Sequence, residues 1–476
     1  MWSKISFLTV LLSSPLLVLS TAPTDDHDYG RRGLTVKTTS GTVRGTINET
    51  APDVRQFLGI PYAEPPVGLL RWQPPADLVN TKRDIDATTL PKACMQIRST
   101  TPGLYSTQTG FQYLISTPVS EDCLTLSIWT PTSRKSRNLP VLVFIHGGAL
   151  IEGGTSVPFQ NPTNFVQRSQ SHIVISIQYR LGIFGFPGAA GLDRQNPGLL
   201  DQRKAIEWIS ANIASFGGDP TRITLWGQSA GASSIDYYNF AYPTTPIASA
   251  FILDSGTVFL PFSIGNVSVF ANLATSLNCT GPPTSQLSCL RALPAPTLLT
   301  AAAGLPFGPF PDNRTFFSDY PSLIAADAFA KVPAIYGSNK DESNDSFLCP
   351  LVKALTLRDQ APTRRTTYTY QYWGNFTNVS PQGQGAYHSS ELPLLFGTME
   401  NLGKSTRFEL ETSGRMQDLW VEFARDPEGL RGEGWGTFEE GTGLVLGDQG
   451  SGRAVRGVKP QEGFVGWSGC GVGNGR

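Results

Sequence analysis

Ile223-Thr224-Leu225-Trp226-Gly227-Gln228-Ser229-Ala230-Gly231 is a short apolar strand running into Gly-x-Ser-x-Gly. Between a strand and a helix that pentapeptide describes a nucleophile elbow. The turn is so sharp that side chains two positions either side of the serine would collide with the neighbouring strand and helix. Gly227 and Gly231 meet that requirement, which makes Ser229 a candidate nucleophile. A chain with 49 glycines also produces such a pentapeptide by chance, so the reading depends on what surrounds it.

Upstream, Val141-Leu142-Val143-Phe144-Ile145 and Ile173-Val174-Ile175-Ser176-Ile177 are continuous apolar runs, the pattern of strands buried on both faces of a parallel sheet. From Asp201 to Ile213, Ala205, Ile206, Trp208, Ile209 and Ile213 recur at helical spacing, and Phe216-Gly217-Gly218-Asp219-Pro220 stops that helix before the elbow strand. Helix, turn, strand, elbow is the order of a doubly wound α/β sheet with helices on both faces. Leu34-Thr35-Val36-Lys37-Thr38 and Gly41-Thr42-Val43-Arg44-Gly45 predict a hairpin. No repeat and no proline- or serine-rich linker interrupts the chain before residue 427, so residues 21–427 are expected to form one domain. After Pro427 the composition changes: 16 of the last 50 residues are glycine, without the three-residue period of collagen. Residues 428–476 are therefore expected to lie outside the packed core, as a flexible tail or a misread end of the gene.

With 40% hydrophobic and 16% charged residues the chain can bury a large core. Its 37 basic and 38 acidic residues nearly balance, and no basic run would track a phosphate backbone, which argues against a nucleic-acid partner. Lys4 followed by an apolar stretch from Ile5 to Leu19 and the small Ser20 reads as a secretory leader spanning residues 1–20, too short to anchor in a bilayer. An extracellular route agrees with seven glycan acceptor sequons, at Asn48, Asn266, Asn278, Asn313, Asn344, Asn375 and Asn378. It also predicts oxidised cysteines; local spacing pairs Cys279 with Cys289 and leaves the other four open.

A serine hydroxyl needs a base within hydrogen-bond reach and a carboxylate to orient that base. Of the four histidines, His27 lies beside the predicted cleavage site, His172 precedes a buried strand and His146 opens a glycine loop, which leaves His388. The loop His146-Gly147-Gly148-Ala149 follows a strand, and its small residues allow backbone N–H groups to face an oxyanion. Gly148, Ala149 and Ala230 are the candidate donors. The chain order serine, acid, histidine confines the acid to residues 230–387. There Ser338-Asn339-Lys340-Asp341-Glu342-Ser343 follows a predicted strand, and spacing does not separate Asp341 from Glu342.

Taken with Phe57-Leu58-Gly59-Ile60-Pro61-Tyr62-Ala63, Glu121-Asp122-Cys123-Leu124, Gln178-Tyr179-Arg180-Leu181-Gly182 and Asn196-Pro197-Gly198-Leu199-Leu200-Asp201-Gln202, these residues resemble the type B carboxylesterase and lipase family. These are α/β-hydrolases that include cholinesterases and fungal extracellular lipases. The resemblance runs from about Gly41 to Pro350 and resumes to about Pro427. It implies an α/β-hydrolase fold and a secreted serine esterase acting on carboxylic esters without metal or organic cofactor. Ser229 would be the nucleophile, Glu342 the acid and His388 the base. It further implies disulfides Cys94–Cys123 and Cys279–Cys289 and ion pairs Arg71–Glu121 and Arg180–Asp201, leaving Cys349 and Cys470 unassigned. In family lipases the first disulfide closes a lid loop; here the enclosed Gln96, Arg98, Ser99, Thr100 and Thr101 are polar, which points to soluble esters before lipids. An extracellular lipase or sterol esterase, or an inactive binding protein on the same fold, is the alternative.

Three departures accompany the resemblance. Gln228 stands where cholinesterases carry a glutamate, which removes a charge that would favour choline esters. Ser343 replaces a glycine after the acid, a change expected to strain that loop. Only 46 positions separate Glu342 from His388, roughly half of what the resemblance implies. A helical block over the site is thus expected to be missing, through a truncated cap and a more open site or through a skipped exon, leaving apolar surface exposed.

Overall fold

The computed structural model describes residues 33–79, 81–97, 115–133 and 137–471. The leader, His27 and the lid residues Arg98 to Thr101 lie outside them.

Eleven strands form the main sheet: β1 (Thr46–Asn48), β2 (Ala51–Pro61), β3 (Thr125–Pro131), β4 (Leu139–Ile145), β5 (Ile173–Ile177), β6 (Gly218–Gln228), β7 (Ala250–Asp254), β8 (Ala334–Asn339), β9 (Thr367–Tyr372), β10 (Gly443–Asp448) and β11 (Arg453–Val458). Their spatial order is β1-β2-β3-β5-β4-β6-β7-β8-β9-β10-β11. From β5 through β4 to β10 all neighbours are parallel, and antiparallel strands close both ends. The hairpin stands apart as Thr35–Thr38 paired with Gly41–Arg44.

The apolar runs of β4 and β6 are continuous because each face has its own cover. Val141, Val143, Ile145, Ile223 and Leu225 join one core with residues of α1 (Pro197–Asn212) and α2 (Ala230–Ala241). Leu142, Phe144 and Trp226 join the other, with Met416, Leu419, Trp420 and Phe423 of α4 (Arg407–Arg425). Helix α1 begins four residues before the apolar spacing suggested, with Pro197 in its first turn, where a missing N–H costs nothing. A buried, bidentate Arg180–Asp201 pair and a partly buried, bidentate Arg71–Glu121 pair hold loops to this frame.

The C-terminal expectation is corrected. Strand β10 is buried at all six positions beside β9, and Leu430 and Trp435 are fully buried, the latter packing edge-on against Tyr368. Cys470 is bonded to Cys349 at the start of α3 (Cys349–Asp359), alongside Cys94–Cys123 and Cys279–Cys289. The glycines that suggested a tail include turn residues of positive φ, such as Gly434, Gly441 and Gly452, which separate short helical turns and strands. A composition window averages those turns with the apolar residues between them. Between residues 343 and 387 no large hydrophobic residue is exposed; the exposed ones include Ile97, Ile151 and Leu305. Ser343 has an ordinary φ of −60° and caps the turn that follows, so its loop carries no strain from lacking glycine.

Candidate active site

Every candidate sits at the carboxyl ends of the parallel strands, where open α/β sheets place their ligand crevice. Ser229 follows β6 with φ 56° and ψ −121°, a region that non-glycine residues occupy only under constraint from their surroundings. The constraint is visible at Gly231: a methyl there would stand 1.9 Å from the Ile145 carbonyl oxygen of β4. The Ser229 N–H donates to the Asp254 carbonyl at 2.8 Å, which ties the elbow to β7.

After β4, Gly148 (φ 94°), Ala149 (φ 53°) and Leu150 (φ 63°) turn consecutively through left-handed conformations. Gly148 has no alternative, since a side chain would meet the Glu152 carbonyl oxygen at 2.2 Å. The N–H groups of Gly148, Ala149 and Ala230 donate to no acceptor among the described residues. Consecutive unpaired donors beside a serine are what a developing oxyanion requires.

The acid loop after β8 separates two carboxylates that the sequence left equivalent. Asp341 accepts from the Ala386 N–H at 2.7 Å and so anchors the backbone of the histidine loop. Glu342 lies 2.5 Å from His388 Nδ1, with its other oxygen accepting from the Asn339 N–H at 2.8 Å. Phe347 stacks on the His388 ring at 4.1 Å, and the Gln228 side-chain nitrogen lies 3.2 Å from Nε2. Ser229, Gln228, His388, Gly148 and Ala149 line one cavity of about 370 Å³, together with Leu260, Pro261, Phe262 and Phe347.

The remaining described histidines are elsewhere. His146 stacks on Tyr179, and burial lowers its pKa to about 4. His172 is bonded to Ser169, and burial, helped by Arg168 and Arg425, lowers it to about 3. Six of the sequon asparagines are exposed; Asn378 is half-buried, and its amide donates to the Met399 carbonyl.

Two buried acids behind the site escaped the sequence reading. Asp254, at the end of β7, accepts from Trp226 at 2.5 Å and Tyr370 at 2.7 Å. Burial pushes its carboxyl up to about 7 against those bonds, and the charge of Glu342 adds to the rise. Glu391, bonded to the Asn339 side chain, is held well above the carboxylate range by burial and then by the charges of Asp254 and Glu342. An acid closing an apolar strand, as in Phe251-Ile252-Leu253-Asp254, was the available signal.

Residues 32–347 match the Carboxylesterase family. The chain is 43% identical over 462 residues to "Chlorogenic acid esterase" of Aspergillus niger, covering 89% of this chain and 88% of that protein. It is 40% identical over 493 residues to "Secreted lipase 5" of Gibberella zeae, covering 90% and 92%. It is 29% identical over 467 residues to "Cocaine esterase" of Homo sapiens, covering 81% and 82%. With such coverage and an α/β sheet of this topology, the chain belongs to the carboxylesterase family and is a carboxylic ester hydrolase.

Proposed function

We propose that Ser229 is the nucleophile of a secreted esterase, with His388 as its base and Glu342 as the acid that orients His388. The observation that carries this reading is the 2.5 Å contact of Glu342 with His388 Nδ1 in the cavity that holds the strained Ser229. His388 Nε2 takes the Ser229 proton as Oγ adds to the ester carbonyl. The oxyanion settles against the N–H groups of Gly148, Ala149 and Ala230. His388 then gives the proton to the departing alcohol; water, deprotonated by His388, attacks the acyl-serine, and His388 returns that proton to Ser229 Oγ as the acid leaves. Glu342 holds the Nδ1 proton throughout and stabilises the imidazolium.

Three disulfides, exposed sequons and a relative named as a secreted lipase support export. The small catalytic cavity supports esters of modest size. A lipase reading is favoured by one feature, the exposed Ile97, Ile151 and Leu305 around a second cavity next to the first.

With p-nitrophenyl butyrate the reading predicts a burst of nitrophenol equal to the enzyme present and a butyryl adduct on the peptide bearing Ser229. A folded Ser229→Ala variant that hydrolyses at the wild-type rate would overturn it. Activity that rises sharply above the solubility limit of tributyrin would move the substrate from soluble esters to lipid surfaces.

A further inference from the structure

The catalytic cavity does not end at Phe262. Ala149, Glu152, Pro261 and Phe262 also line a neighbouring cavity of about 950 Å³, whose walls are otherwise apolar or backbone, with Ser263 as an exception. An ester seated at Ser229 therefore has two spaces, one for each side of the scissile bond, with Glu152 at the passage between them.

Glu152 is held there by the loop that carries the oxyanion donors. Its N–H donates to the Gly148 carbonyl at 3.0 Å, and its Cγ would lie 3.1 Å from a Cβ built on Gly148. The side chain is half-buried, and no cation, hydroxyl or N–H among the described residues bonds to its carboxylate. Burial alone raises its pKa, with no opposing partner. A half-buried carboxylate with no partner among the described residues retains part of its desolvation cost, which a donor on a bound molecule relieves and a second negative charge increases.

We infer that Glu152 is a specificity-determining residue: it selects esters whose half in the second cavity is apolar but carries a hydroxyl donor, and it rejects those that carry a carboxylate there. This rests on the catalytic reading of Ser229. The relative named for chlorogenic acid makes the contrast concrete, since this inference gives the present chain an aversion to free carboxylates near the scissile bond.

The test compares kcat/KM ratios within one preparation, which cancels any loss of folded enzyme. One series varies the alcohol half, with benzoates of 1-pentanol, 1,4-butanediol and 4-hydroxybutanoate. The other varies the acyl half, with methyl 3-arylpropanoates bearing para methyl, hydroxyl or carboxylate. In at least one series Glu152→Leu is expected to lower the hydroxyl-to-methyl ratio, and Glu152→Gln to raise the carboxylate-to-methyl ratio, each by about tenfold or more, the effect of one hydrogen bond to a charged group. Smaller changes in both series would overturn the inference while leaving the esterase intact. Wild-type protein that hydrolyses none of the esters and takes up no fluorophosphonate would overturn the catalytic reading, and this inference with it.

Discussion

On the serine side of the cleft, position is set by backbone; on the histidine side it is set by side chains from distant parts of the chain. Ser229 is fixed because Gly231 lets α2 pass within contact of β4, and the donor loop because Gly148 turns where no other residue fits. His388 is fixed by Glu342, Phe347 and the Asp341 anchor, some 46 residues back, and the segment carrying Phe347 leads into the Cys349–Cys470 disulfide. Steric requirements of a backbone are written locally, as small residues at fixed spacing. A side-chain cradle depends on the fold that brings its members together.

That contrast can be broken from either side. The largest expected effect is on the histidine side: Glu342→Gln removes the negative charge but keeps the shape, so kcat should fall by about 10⁴-fold with little change in thermal stability. A variant within tenfold of wild type would remove Glu342 from the mechanism. Next, Cys349→Ser with Cys470→Ser opens a closure of 121 residues and should cost about 2–5 kcal/mol, read as a lower urea midpoint. It should also slow acylation, because the turn bearing Phe347 adjoins Cys349; an unchanged midpoint would make the C-terminal packing incidental. On the serine side, Gly231→Ala should cost about 3 kcal/mol through overpacking against Ile145, measured by the same unfolding curve. A stable, active Gly231→Ala enzyme would show that the elbow is less constrained than its glycines suggest.

The last effect concerns pH and is gradual, spread over the interval between two pKa values. Asp254 has a folded pKa of about 7, above the roughly 3.9 of an unfolded chain, so the folded state binds the extra proton between those values. Its contribution to stability is fully present below about pH 4 and is lost as pH rises through 7, with a slope of about 1.4 kcal/mol per pH unit. Asp254→Asn should remove that slope while keeping the Trp226 bond. An unaltered stability profile between pH 4 and 7 would show that Asp254 is ionised throughout.

How much was legible in the sequence follows the same division. The strand-to-helix turn at Ser229, the glycine loop after β4 and the strands β4 and β5 are local patterns, and the structure has these elements where the residues put them. Residue spacing alone left Asp341 and Glu342 equivalent, because both reach the histidine loop, one through its backbone and one through its ring. The partners of Cys349 and Cys470 could not be read, because a pairing across 121 positions leaves no local trace. Strand β10 was hidden by the turn glycines around it. Glu152 drew no notice as one charged residue in a glycine-rich loop; only the two cavities give it a place.

The central claim is that Ser229 is an activated nucleophile whose activation depends on His388 and Glu342. A fluorophosphonate reacts covalently with such a serine and with few others, so the wild-type protein, its Ser229→Ala and its His388→Ala variants should be treated and the adduct located by peptide mass spectrometry. The account predicts one adduct, on Ser229, absent from Ser229→Ala and slowed by several orders of magnitude in His388→Ala. A folded wild-type protein that stays unlabelled, or labels equally fast without His388, would contradict it.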